Sequence, residues 1–208
     1  MNEKKIIGLT GTYCAGKNHV ALILEEQGFP VLDVDKLGHR VIELEKERLI
    51  TRFGDDILDP GGRINRKLLG KKVFGNPLEL AALEEIVHPG INRECLAWID
   101  EQKAGACVIN AALLHRFSAF EILDAIIIVE APFLVRLLRA RKRDRLGWMV
   151  LWQRFSSQRE FNSQYFRGNT DIYKVKNSGF FSFGKRWQRK KLESRMNEIL
   201  SLKGITGV

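Results

Sequence analysis

Near the N-terminus a short apolar run, IIGL, leads into GTYCAGKN at residues 11–18 and then into HVALILEEQG. Gly11, Thr12, Tyr13, Cys14, Ala15, Gly16 and Lys17 have the Gly-x4-Gly-Lys spacing of a phosphate-binding loop. Such a loop needs a strand before it and a helix after it. Only that arrangement directs several backbone N–H groups and the positive helix end at one point. The glycines permit close approach and left-handed backbone, and Lys17 supplies a movable cation for outer phosphates. Asn18 stands where loops of this kind carry Ser or Thr, whose hydroxyl meets Mg²⁺. An amide oxygen is also a hard, neutral ligand that magnesium accepts, directly or through a water. The same residues also suit a plain Gly-rich strand-to-helix turn. Cys14 reads either as a small loop residue or as a redox-sensitive thiol.

The rest of the chain alternates strand and helix patterns. Lys4 to Leu9 reads as a buried strand, and Val20, Ile23 and Leu24 share one face of the helix that follows the loop. PVLDVD (30–35) reads as a second strand ending in two carboxylates, and from Lys36 to about Phe53 the pattern turns helical. After the loop DPGGRIN come helical stretches at 66–74, 77–87 and 91–103, divided by Asn76-Pro77 and His88-Pro89. ACVIN (106–110) and AIIIVE (125–130) are too apolar to face water on either side, which argues for a parallel sheet covered on both faces. FLVRLLRARKRDR (133–145) predicts a basic helix, 148–166 another with Trp148, Trp152 and Phe155 inward, 171–179 a last strand and turn, and 185–201 a helix packed through Trp187, Met196 and Ile199.

The 208 residues allow one domain with smaller lobes, and the net charge of +9 suits an anionic partner: nucleic acid, a membrane surface or a phosphorylated small molecule. Three scattered cysteines form neither a disulfide framework nor a zinc pattern, and no run of eighteen apolar residues occurs. The expectation is a cytoplasmic protein.

From the second strand onward the motifs resemble the dephospho-coenzyme A kinase family. The loop is followed after one helix by Asp33-x-Asp35 and then Arg40; GRINRKLLG places Arg66 on a family arginine; EEIVHPGI carries its His-Pro as His88-Pro89. VRLLRARKRD matches Arg139 and Arg143-Asp144, RFSSQ matches Arg154 and Gln158, and TDIYKVKNSG matches Asp171, Asn177 and Gly179. The order holds across most of residues 5–180. The departures are Ala15, Asn18 and His19 in the loop, and Asn110, Ala112 and Arg116 in place of an acidic residue, a Pro and a Glu.

The resemblance implies a P-loop kinase that moves the γ-phosphate of ATP to the ribose 3′-hydroxyl of dephospho-CoA, with Mg²⁺. It implies a five-stranded parallel α/β core (about 1–35, 105–138 and 169–208), a helical substrate lobe (about 36–104) and a helical lid (about 139–168). Residues 11–19, with Arg139, Arg143, Asn177 and Gly179, would bind ATP. Asp33, Arg40, Arg66 and His88 would bind the acceptor, and Asn18 and Asp35 would meet the metal, directly or through water. Lys17, Asp33 and Arg143 would carry catalysis, with Asp33 taking or aligning the hydroxyl proton. Each role has a plainer counterpart: Asp33 and Asp35 as helix caps, the arginines as a solvated face, Asn177-Ser-Gly179 as a strand-ending turn, His88 as a structural histidine. The expected partners are ATP and dephospho-CoA, with no nucleic acid, no membrane, and a monomer or weak homo-oligomer. A nucleotide-binding descendant without transferase activity, a P-loop kinase with another acceptor, and a nucleic-acid binder are the competing readings.

Overall fold

A computed structural model describes residues 4–114, 121–144, 155, 170–179 and 185–205. His115, Arg116, Arg145, Trp148, Trp152, Arg154 and Gln158, and most of the expected lid, lie outside these. The chain divides into two compact units, Met1–Leu32 with Gln102–Val208, and Asp33–Glu101.

The first unit is built on a five-stranded parallel sheet with strand order β2-β3-β1-β4-β5. The strands are β1 (Lys5–Gly11), β2 (Val31–Asp33), β3 (Ala106–Asn110), β4 (Ala125–Glu130) and β5 (Asp171–Lys176). β1 lies at the centre and pairs in parallel with β3 (Ile7 opposite Val108) and β4 (Leu9 opposite Ile127). All of β3 and nearly all of β4 are buried, as unbroken apolar runs require when helices cover both faces. On one face Ile7, Leu9, Ile127 and Val129 pack against Val20, Ile23 and Leu24 of α1 (Lys17–Glu26). Leu192, Met196 and Ile199 of α7 (Lys185–Leu202) join the same core. On the other face Leu114 and Leu123 close over Gly8, where a Cβ would come within 2.5 Å of Leu114. The helix after β4, α6, spans Phe133–Asp144.

Trp187 does not join the core. It is 69% exposed, with the Lys191 ammonium 5.5 Å from its ring centre, so the apolar stripe of α7 runs through Leu192, Met196, Ile199 and Leu200.

The second unit is helical: α2 (Val34–Leu44), α3 (Lys46–Phe53), a 3-10 turn at Asp55–Ile57, α4 (Arg66–Val73) and α5 (Pro77–Glu101). Two sequence expectations are corrected here and one is refined. The second strand is shorter than PVLDVD: helix begins at Val34, because Asp33 caps it, and Asp35 sits in its first turn. The stretch expected to be helical from Lys36 to about Phe53 is helical, as two helices divided at Glu45. The break expected at His88-Pro89 does not occur, since α5 runs through Pro89. Proline removes one backbone bond, but Ile86, Val87, Gly90 and Ile91 around it are all buried, and tertiary packing outweighs that loss. Gly90 permits the approach of α2: a Cβ there would lie 2.7 Å from Val41. Among the described residues no helix is long and apolar enough to cross a membrane.

Candidate active site

The loop between β1 and α1 is shaped by four features. Gly11 lies against β4, where a Cβ would stand 2.6 Å from the Val129 carbonyl oxygen. Thr12 N–H donates to that same oxygen (3.2 Å), and Ala15 N–H turns back to Thr12 O (2.9 Å). Cys14 takes the left-handed conformation (φ 59°), the one non-glycine to do so among the described residues. Gly16 follows at φ 96° and starts α1 with no side-chain capping bond. By contrast α2 and α4 are capped by Asp33 and Asn65. An uncapped helix start leaves orphan N–H groups, and with the helix dipole these suit an anion.

Around this loop the sheet's C-terminal edge contributes Asn110, which ends β3 and is 2% exposed. Its Nδ2 donates to Asn18 Oδ1 at 3.5 Å, while its Oδ1 is buried without a hydrogen-bond partner. Arg139 and Asn177 approach the loop from another side. Arg139 Nη1 donates to the Ala15 carbonyl (2.9 Å), and Asn177 Nδ2 donates to the same oxygen (2.8 Å). Arg143 forks onto Asp144 with Nε and Nη2 (2.6 and 3.0 Å) and lies 5.2 Å from the Tyr13 ring centre. The Tyr13 hydroxyl donates to the same Asp144, tying the loop to the end of α6.

Two groups have shifted acidity. Burial pushes the Cys14 thiol up, against the pull of Arg143, so little thiolate forms at neutral pH and a redox-sensitive thiol is not what the surroundings favour. His19 is held below the ordinary imidazole value, first by desolvation of its ring and then by Arg189 and Arg139.

The remaining sequence-derived residues lie in the helical unit. Asp33 closes β2, and its Oδ1 accepts from Lys36 N–H (3.1 Å), so it is a helix cap as well as a carboxylate at a strand's end. Asp35 is exposed in the first turn of α2, and Arg40 pairs with Glu94 (3.3 Å). Arg66, first residue of α4, lines a cavity of about 570 Å³ with Arg63, Lys67, Glu43 and Asp59. His88 is half-buried within α5.

Sequence reading noticed Asn110 only as a departure and missed its pairing with Asn18. The available signal was a lone polar residue ending a strand whose other members, ACVI, are all apolar. It also missed Asp144 as the anchor of Tyr13.

A phosphate-type loop after the central strand of a parallel sheet, with an uncapped helix behind it, defines a P-loop kinase fold. The dephospho-CoA kinase of Campylobacter jejuni shares that fold at TM-score 0.61 and 24% identity, over 94% of this chain and 97% of its own. A Thermus thermophilus crystal structure matches at TM-score 0.81 and 29% identity, over 99% of this chain and 100% of that one. The sequence model of the dephospho-CoA kinase family matches residues 5–178. The dephospho-CoA kinase of Treponema denticola is 33% identical over 187 residues, 85% of this chain and 83% of its own. The chain belongs to the dephospho-CoA kinase family.

Proposed function

We propose that this protein transfers the γ-phosphoryl group of ATP to the ribose 3′-hydroxyl of dephospho-CoA, giving coenzyme A and ADP. The observation that carries the reading is the phosphate-type loop after β1 within a family match spanning residues 5–178. The same match disfavours an inactive descendant.

Phosphoryl transfer asks little covalent work of a protein; it asks for alignment and neutralised charge. The loop N–H groups and the start of α1 would hold the phosphates, with Lys17 on the outer ones. Arg143, once released from Asp144, would meet the charge on the transferring group. Asp33 would take or align the proton of the attacking hydroxyl. Asn177 and Gly179 would border the adenine, while Arg40, Arg66 and His88 would serve the acceptor.

The residues present fit Mg²⁺. Asn18 Oδ1 and the partnerless Oδ1 of Asn110 are neutral oxygen donors, and no group of three or more His, Cys, Asp or Glu that could hold a metal occurs among the described residues. A neutral donor pair suits an ion that arrives with triphosphate oxygens and keeps several waters. Asp35 would contribute through water. Bound with ATP, the ion would neutralise charge on the β- and γ-phosphates.

Asn110→Asp should therefore lower, several-fold, the Mn²⁺ concentration that half-saturates the complex with a non-hydrolysable ATP analogue, read by electron paramagnetic resonance. It should also lower the melting temperature of the metal-free protein, because an unpaired carboxylate would then be buried. An unchanged metal requirement would remove Asn110 from the metal's surroundings.

His19 gives a pH test. Between its depressed folded value and the ordinary 6.5 the unfolded chain binds more protons, so its contribution to stability is complete above 6.5 and declines as pH falls through that window. A triphosphate beside it would favour the imidazolium. Acidification should then strengthen ATP binding more in wild type than in His19→Gln, measured by calorimetry from pH 8 to pH 5.5. Parallel curves would place His19 away from the phosphates.

Incubation with Mg²⁺, ATP and dephospho-CoA should yield coenzyme A, with the new phosphate on the 3′ oxygen by ³¹P NMR. No coenzyme A above an enzyme-free blank would refute the activity and leave the fold standing.

A further inference from the structure

Arg139 has the motif position of a phosphate-gripping arginine, yet its guanidinium faces backbone. Nη1 donates to Ala15 O (2.9 Å) and Cys14 O (3.4 Å). Nη2 donates to Asn177 O (3.1 Å), Asn177 Oδ1 (3.3 Å) and Gly179 O (2.6 Å). A guanidinium has four N–H groups on its two Nη atoms, and this pattern engages both ends of the fork. Asn177, 4% exposed, is fixed in turn: its N–H donates to Glu130 O (2.7 Å), and its side-chain amide donates to Ala15 O (2.8 Å). The segment after β5 is thereby fastened to the underside of the phosphate loop.

The Ala15 carbonyl accepts from both residues. In a planar trans peptide the N–H of the next residue points opposite to that carbonyl. Holding Ala15 C=O against Arg139 and Asn177 therefore directs the Gly16 N–H the other way. A cation on the oxygen also polarises the peptide and strengthens that donor. Gly16 must lack a side chain for the same reason: a Cβ would lie 2.3 Å from Asn177 Nδ2.

We propose that Arg139 and Asn177 form a strap that orients the Ala15–Gly16 peptide of the phosphate loop. Arg139 is thus a positioning residue acting through loop carbonyls rather than a grip on the phosphates. The proposal rests on the loop binding phosphate, but not on which acceptor receives it.

Arg139→Lys keeps the charge and loses the fork, so it separates the two roles. In the nucleotide-free protein the Gly16 amide resonance of Arg139→Lys should shift, and its hydrogen exchange should accelerate. Affinity for ATP, and for inorganic tripolyphosphate, should fall about tenfold, as loss of a charge-assisted bond pair implies. Asn177→Ala should weaken both ligands as well, and the double variant should lose less than the product of the single losses, because both act on one carbonyl. An unperturbed Gly16 amide in ligand-free Arg139→Lys, or independent multiplicative losses, would overturn the strap. Should Arg139→Lys fail to fold, Asn177→Ala read by the same Gly16 amide decides. These are binding readouts made without dephospho-CoA, so a wild-type protein that bound ATP but made no coenzyme A would refute the proposed activity and leave the strap to be judged separately.

Discussion

Asp33→Asn is expected to lower turnover by about 10²- to 10⁴-fold, the range lost with a positioned general base, while leaving the fold and ATP affinity near those of wild type. The substitution is informative because Asp33 does two things at once. Its Oδ1 accepts from Lys36 N–H as the cap of α2, and the carboxylate closes β2. Asparagine caps a helix about as well as aspartate, so the amide keeps the structural role and cannot take a proton. Asp33→Ala removes both, and should add about 1 kcal/mol of destabilisation to the same loss of turnover. Turnover by Asp33→Asn within a few-fold of wild type would reduce Asp33 to a cap.

Gly16→Ala should abolish useful ATP affinity. Gly16 sits at φ 96°, where an L-residue costs about 1–2 kcal/mol. The added methyl would also have to displace the Asn177 amide, 2.3 Å from the Cβ position. That amide is hydrogen-bonded to Ala15 O, so displacing it also breaks a buried bond. Gly62 is the control. It too has positive φ (73°), but nothing stands within 4 Å of its Cβ position, so Gly62→Ala should show the backbone strain alone and leave ATP binding intact. Calorimetric titration of ATP into both variants distinguishes them; wild-type affinity in Gly16→Ala would mean that the loop does not need this conformation.

What the sequence made legible follows from the range over which each signal acts. β3 and β4 could be read to the residue because an unbroken apolar run bounded by polar residues has one sensible place in an α/β sheet. The start of α2 could not, because Asp33, as the cap, turns the apolar Val34 into the first helical residue instead of the next strand position. Pro89 misled for a similar reason: local chemistry says stop, while burial of Ile86, Gly90 and Ile91 on one side of the unit says continue. Trp187 is the converse, a large apolar residue at helical spacing that faces water and shelters under Lys191.

At the site, the loop and its glycines were visible because their roles depend on neighbours a few residues away. Arg139 was visible as an arginine, but its partners are residues 14, 15, 177 and 179, and no local pattern tells whether a guanidinium faces a phosphate or four carbonyls. The pairing of Asn18 with Asn110 is equally non-local, joining the start of α1 to the end of β3. Two amides replacing a hydroxyl and an acid look like losses one at a time. Side by side, the Nδ2 of Asn110 meets the Oδ1 of Asn18 and leaves the Asn110 oxygen without a partner.

The most direct test is ADP release from MgATP with and without dephospho-CoA, with coenzyme A measured in the same samples. The account predicts slow release alone, a large acceleration with the acceptor, and one coenzyme A formed per ADP. Equal release in both samples, or none in either, would contradict it.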